Sequence, residues 1–106
     1  MKKSCSPRRD VRFALTAQVL AVDITTQARR EGTLENISHG GCFVRTADPF
    51  HVWTRLRLWV VYRGQQFEAE CSVTHSRGGH GMGILFEKIT AENQEILESW
   101  LSELSP

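Results

Sequence analysis

The sequence predicts an all-β domain with a C-terminal α-helix, its six strands forming a closed or nearly closed antiparallel barrel. Three observations carry this expectation. Short segments place apolar residues at every second position, turn-forming residues separate them at regular intervals, and the spacing becomes helical after Thr90. Alternation at period two gives a strand one buried and one wet face, whereas recurrence at three and four residues makes a stripe along a helix.

Residues 1–11 are polar and charged around Pro7 and read as a flexible basic arm ahead of a single domain at 12–106. Phe13, Leu15, Ala17, Val19 and Ala21 then share one face of a first strand, with Thr16 and Gln18 on the other. Asp23–Gln27 reads as a turn, and Arg29–Ile37 as a second strand with Thr33 and Leu34 in its interior. After a polar turn at Asn36–Gly41, Cys42–Arg45 starts a third strand, which Asp48-Pro49 ends in a loop. Leu56, Leu58 and Val60 alternate with Arg55, Arg57 and Trp59 in a fourth, and Arg63-Gly64 is a hairpin signal. Phe67, Ala69, Cys71 and Val73 alternate with Glu68, Glu70 and Ser72 in the fifth and most regular strand. Gly78-Gly79 interrupts it, and Met82–Phe86 forms the sixth. Thr90 can cap a helix at about 90–104. Its stripe of Ile96, Leu97, Trp100, Leu101 and Leu104 should pack on the barrel or cover one of its ends.

A chain of 106 residues makes one small domain with a single core. The formal net charge of +1 argues against a broad nucleic-acid face, but the charge is uneven. Lys2, Lys3, Arg8, Arg9 and Arg12 oppose Asp10 alone at the N-terminus, while Glu92, Glu95, Glu98 and Glu103 make the C-terminal segment acidic. That asymmetry points to a local anion site. Cys5, Cys42 and Cys71 stand at unrelated spacings, which is no disulfide framework and favours a reducing compartment. The basic N-terminus is not followed by the apolar stretch of a signal peptide, and no run nears the roughly 20 apolar residues of a membrane helix. The protein is therefore expected to be soluble and cytoplasmic.

Enzymatic and metal chemistry find little support. The cysteines with His39, His51, His75 and His80 lack paired metal-ligand spacing, so neither metal nor cofactor is expected. Cys71 falls on the apolar face of its strand and reads as core. Cys42 near His39 lacks an orienting carboxylate for nucleophilic catalysis. Glu68 and Glu70 read as solvated outward charges rather than a glycosidase pair. Trp59, beside Arg55 and Arg57, reads either as an exposed partner patch or as surface covered by the helix.

Two motifs remain. Arg8-Arg9-Asp10-Val11-Arg12 places two arginines four residues apart just before the first strand, and Asn36-Ile37-Ser38-His39-Gly40-Gly41 is a polar turn between two strands. A guanidinium offers a rigid fork of donors to phosphate oxygens and to the O6/N7 edge of guanine. An Asn-x-Ser turn closed by glycine offers small polar groups and open backbone. Taken singly, the first reads as a solvated arm and the second as a hairpin turn that needs these residues for geometry alone. Together they describe a pocket for an anionic guanine nucleotide.

In their order and spacing the two motifs resemble the PilZ domain family, receptors for the bacterial second messenger cyclic di-GMP. The family pattern is Arg-x-x-x-Arg followed by Asp/Asn-x-Ser-x-x-Gly, matched here by Arg8, Arg12, Asn36, Ser38 and Gly41. The resemblance implies a six-stranded antiparallel barrel with a helix near the C-terminus. It makes Arg8 and Arg12 the principal ligand contacts, with Arg9 assisting at a phosphate. Asn36 would meet a guanine edge, with one accepting oxygen where the family's common Asp has two. Ser38 would bond a base or stabilise the turn, and Gly40 and Gly41 would permit left-handed backbone and close ligand approach. His75 and Gly83 are second-line positions. His75 would stack on or bond the ligand, or is a surface histidine, and Gly83 marks close approach or a bulge. Pro7, before the first arginine, adds no guanidinium, which favours one nucleotide per site.

The expected function is thus a non-enzymatic cyclic di-GMP receptor. Its arm orders on binding and its changed surface signals to a protein partner, which the resemblance places in motility, pilus or exopolysaccharide machinery. The alternative is a nucleotide-independent adaptor of the same fold. A barrel that binds single-stranded nucleic acid is disfavoured by the near-neutral charge and scattered aromatics.

Overall fold

Local turn chemistry decides how successive strands meet. In the computed structural model, which describes residues 11–105, the Asp23 carboxylate accepts hydrogen bonds from the backbone of Thr25 and Thr26 at 2.8 and 3.3 Å. These bonds, Thr25's first, hold its pKa below the ordinary carboxylate value, and they turn β1 (Phe13–Asp23) back into β2 (Arg29–Ile37). Arg63 and Gly64 both take positive φ, 53° and 76°, in the two-residue turn joining β4 (Arg55–Tyr62) to β5 (Gln65–Arg77). Left-handed backbone at both positions matches the twist of the flanking strands. β3 (Gly41–Arg45), β6 (Gly81–Lys88) and helix α1 (Ala91–Leu104) complete the chain. Most of the expected basic arm, 1–10, lies outside the described residues.

The strands pair antiparallel in the order β1-β2-β3-β6-β5-β4, and β4 returns to β1 to close a six-stranded barrel. Alternation behaves as expected along β1, where Leu15, Ala17, Val19 and Ala21 are buried. β4 buries Leu56, Leu58 and Val60, and β5 buries Phe67, Ala69, Cys71 and Val73. Some boundaries differ from the sequence reading. β1 continues to Asp23 and β6 to Lys88, because pairing with β4 and β5 carries polar ends that have no alternating pattern of their own.

Helix α1 covers the barrel end where β1, β3 and β5 begin. Thr90 caps it, its hydroxyl accepting from the Asn93 backbone N–H at 3.2 Å. Trp100 is buried, edge-on to Tyr62 at 5.4 Å and tilted against Phe67 at 6.0 Å, and its Nε1 donates to Gln65 Oε1 at 2.9 Å. Burying an indole without a partner for its N–H would cost most of what its area contributes, so this bond matters to the helix's seat. At the opposite end Phe50, from the loop after β3, is buried under the Arg30 guanidinium at 4.7 Å.

Two outward charges are not simply solvated, as the sequence reading had them. Glu68 pairs with Arg57 at 3.0 Å and Glu70 with Arg55 at 2.6 Å, each across the β4–β5 ladder, because cross-strand neighbours share a face. Trp59 is half-buried in an outer groove lined by β1, β2, β4 and β5 residues, with no α1 residue lining it. Trp53 is 73% exposed with a φ of 74°, a left-handed conformation held by its backbone N–H on the Val73 carbonyl at 2.8 Å.

β3 and β6 approach so closely that a Cβ on Gly41 would overlap the Ile84 carbonyl oxygen. Gly41→Ala should therefore destabilise the fold by about 2 kcal/mol or more, read from the urea midpoint. Cys42 and Cys71 are buried free thiols, and burial pushes Cys42 up to about 12 and Cys71 up as well. At pH 8 a thiol reagent should leave both unmodified in the native protein and modify both in denaturant, as peptide mass mapping would show. The unfolded chain ionises these thiols near 9.0 while folded Cys42 keeps its proton to about 12, so stability should be unaffected below pH 9 and fall above it.

Candidate functional site

Two β-bulges create the most chemically distinctive face of the barrel. Strict alternation from buried Leu34 would turn Asn36 into the core. Instead Leu34 pairs with Val44 and Asn36 with Phe43, so Glu35 is an extra residue and the phase of β2 flips. Asn36 now faces outward, and Ile37 is buried beside Cys42. The same device acts on β5, where Val73 pairs with Ile84 and His75 with Gly83, leaving Thr74 as the extra residue and His75 outside. The result is a row across four strands: Asn36, Phe43, Gly83 and His75.

Arg12 stands over one end of this row, its Nη1 donating to Asn36 Oδ1 at 2.7 Å. It reaches that position because β1 pairs Ala14 with Asn36, and Arg12 lies two residues before Ala14 on the same face. The cleft is about 390 Å³, within the roughly 300–1,000 Å³ of small-molecule sites. Beyond the row and Arg12, its lining includes Glu35, Thr74 and His80. Glu35 is engaged by Arg45 at 2.9 Å, which offsets the carboxylate's charge at the rim. Arg12 also lies close enough to buried Cys42 to oppose, in small part, the upward shift of its thiol.

The rest of the second motif shapes backbone. Ser38 is 1% exposed, and its Oγ accepts from the N–H groups of Gly40 and Gly41 and donates to the Gly41 carbonyl, each at 3.2 Å. The Gly40 carbonyl in turn accepts from the Phe86 N–H at 2.9 Å. Neither Gly40 nor Gly41 is left-handed, contrary to expectation; among the described residues, positive-φ glycines are Gly64 and Gly79. The reason for glycine at 41 is the approach of β6, not a special φ. His39, between Ser38 and Gly40, turns away to Glu98 of α1 at 3.2 Å, and bonds from Gln94 and His39 hold that carboxyl below its usual range.

Of the residues expected from the sequence, the structure brings Arg12, Asn36, His75 and Gly83 to one cleft and leaves Ser38, Gly40 and Gly41 in the supporting turn. Arg8 and Arg9 lie outside the described residues. Phe43, Thr74 and His80 were not anticipated. Phe43 was legible as an outward position between inward Cys42 and Val44, whereas His80 reaches the cleft only through the β5–β6 turn. Among the described residues no group of three or more His, Cys, Asp or Glu side chains is placed to hold a metal ion. None of the described helices is long and apolar enough to cross a membrane.

Comparison with solved structures returns the same architecture. The chain is similar to the PilZ domain of CeSA from a cellulose-synthesizing bacterium, at 18% identity with a TM-score of 0.71, over 89% of this chain and 97% of that one. It is similar to the Bacillus subtilis inhibitor of motility MotI/DgrA, at 23% identity and a TM-score of 0.74, over 95% of this chain but 52% of that longer one. It also matches the PilZ domain of YcgR from Escherichia coli, solved with c-di-GMP, at 11% identity and a TM-score of 0.72, over 93% and 92% of the two chains. A search of curated proteins finds no match. A family model described as "PilZ domain" matches residues 6–103, nearly all of the 106, and the chain therefore belongs to the PilZ domain family.

Proposed function

We propose that this protein is a non-enzymatic receptor for cyclic di-GMP. The observation that carries the reading is the meeting of the two motifs: Arg12 reaches Asn36 at 2.7 Å on the rim of an outward cleft. A guanidinium beside an amide suits a ligand that combines phosphodiester charge with a guanine edge. Asn36 Oδ1 is occupied by Arg12, so an incoming ligand replaces or shares that bond. In this reading Arg8 and Arg9 close over the nucleotide from the N-terminal side, and one nucleotide occupies the site. The arm orders on binding, and the altered rim is read by a protein partner of motility, pilus or exopolysaccharide machinery in the cytoplasm. The ligand named for the YcgR domain and the motility role in MotI's name support the same direction.

The nucleotide-independent adaptor has one observation in its favour. Trp53 projects from a hydrogen-bonded loop at 73% exposure, and exposed tryptophans are favoured anchors in protein interfaces.

Calorimetry separates the two. The receptor binds cyclic di-GMP at micromolar concentration or tighter and ignores cyclic di-AMP and GTP; absence of binding at high protein concentration would leave the adaptor. Arg12→Ala should weaken cyclic di-GMP by at least about tenfold, the loss of one charge-assisted contact, with an unchanged circular dichroism spectrum and melting temperature. An Arg12→Ala protein that binds like the parent would remove Arg12 from the site.

A further inference from the structure

We infer that Phe43, Gly83 and His80 form a base-receiving slot that recognises one purine ring of the ligand, separate in role from the phosphate-directed arginines. The inference rests on the receptor reading above and specifies how that site handles a base.

The outer face of β6 is bare where it crosses the cleft, because Gly81 and Gly83 are both glycine. At Gly81 the lack of a side chain is filled from across the strand. A Cβ there would meet Phe43 Cζ and Cε2 at 2.7 and 2.8 Å, so the Phe43 ring lies over Gly81. At Gly83 the neighbours stand further off. A Cβ there would press on Thr74 Oγ1 at 3.3 Å, closer than an ordinary contact, and touch His75 at 3.7 Å. Glycine at 83 thus relieves Thr74 and leaves a floor of backbone between two rings. Phe43 stands on one side of that floor and His75 on the other, with ring centroids 6.4 Å apart at 72°. His80 flanks Phe43 at 6.1 Å and 60°.

This arrangement matches the needs of a flat, polar-edged ring. Phe43 supplies an apolar surface for a base to lie against, and bases of any identity have such a face. The imidazoles of His75 and His80 offer nitrogens that donate or accept according to tautomer, so they can meet the heteroatoms of a purine edge. Arg12 lies beyond Asn36 at the other end of the same row, where the ribose-phosphate would run. The division of labour follows from position: charge at the β1–β2 rim, rings at the β3–β6–β5 rim.

Calorimetry with cyclic di-GMP at three salt concentrations tests the slot, using the intact protein and the variants Phe43→Leu, His80→Ala, Gly83→Ala and Arg12→Ala. Loss of the aromatic face in Phe43→Leu should weaken binding by on the order of tenfold. His80→Ala and Gly83→Ala should also weaken it, the latter by intruding on the floor, with binding measured well below its melting temperature so that any packing cost against Thr74 is kept apart from the loss of affinity. Screening acts on phosphate contacts and not on stacking, so Phe43→Leu should keep the parent's salt dependence while Arg12→Ala flattens it. If the parent binds and both Phe43→Leu and Gly83→Ala bind as tightly, the slot is refuted and the receptor stands. If Phe43→Leu flattens the salt dependence as Arg12→Ala does, the proposed division of roles is refuted. If the parent itself fails to bind, the receptor reading falls, and the slot with it.

Discussion

Closure of the sheet is the constraint on which everything else in this molecule depends. β1 is hydrogen-bonded along one edge to β2 and along the other to β4, so the barrel has an unambiguous inside and outside. Once the inside is filled by apolar side chains, each residue's direction is decided by its phase along the strand. A single inserted residue then carries a large consequence, because it moves the next side chain from core to solvent while the ladder beyond it continues. β2 and β5 each use one such insertion, at Glu35 and Thr74, and each thereby delivers a polar side chain to the same external face. Closure also forces β3 against β6, which explains the glycine at position 41 more directly than any requirement of the turn.

The family's second motif divides into distinct physical tasks. Asn36 looks outward and meets Arg12. Ser38 looks inward and satisfies the turn's own backbone, bonding the N–H groups of both following glycines. His39 looks sideways to α1. Such a turn is held from three directions, so its outward member, Asn36, sits on a well-braced support. Arg12 differs, standing exposed just before β1. A site that combines strand-mounted groups with a guanidinium just outside the barrel joins fixed geometry to adjustable charge.

The connection from the turn to α1 gives the cleft a physical neighbour on the covered end of the barrel. Glu98 receives both His39 and Gln94, and further along the helix Trp100 is fixed on Gln65 and Arg63 meets Glu103 at 3.1 Å. The exposed ion pairs among these contribute little stability singly. Their significance is positional: the helix spans from the motif turn at one side of the barrel end to the β4–β5 hairpin at the other.

Much of this was legible in the amino-acid sequence. Alternation in Leu56–Val60 and Phe67–Val73 identified strands and their buried faces, the Arg63-Gly64 pair identified a hairpin, and Thr90 with the Leu97–Trp100–Leu101 stripe identified the helix and its cap. These are local properties, set by side-chain period and turn chemistry within a few residues. The sequence also named Arg12 and Asn36, and His75 and Gly83 as secondary positions, which all line one cleft. What it left undecided was phase and proximity. Read from alternation alone, Asn36 would share Leu34's buried face, and nothing in the motif says that Ser38 spends its hydroxyl on the turn's own backbone. Phe43 and His80 belong to the cleft only because β3, β6 and β5 lie side by side. A bulge is a mismatch between two paired strands, and a cleft is a meeting of several. Neither is a property of any one segment, and so both were decided when the barrel closed.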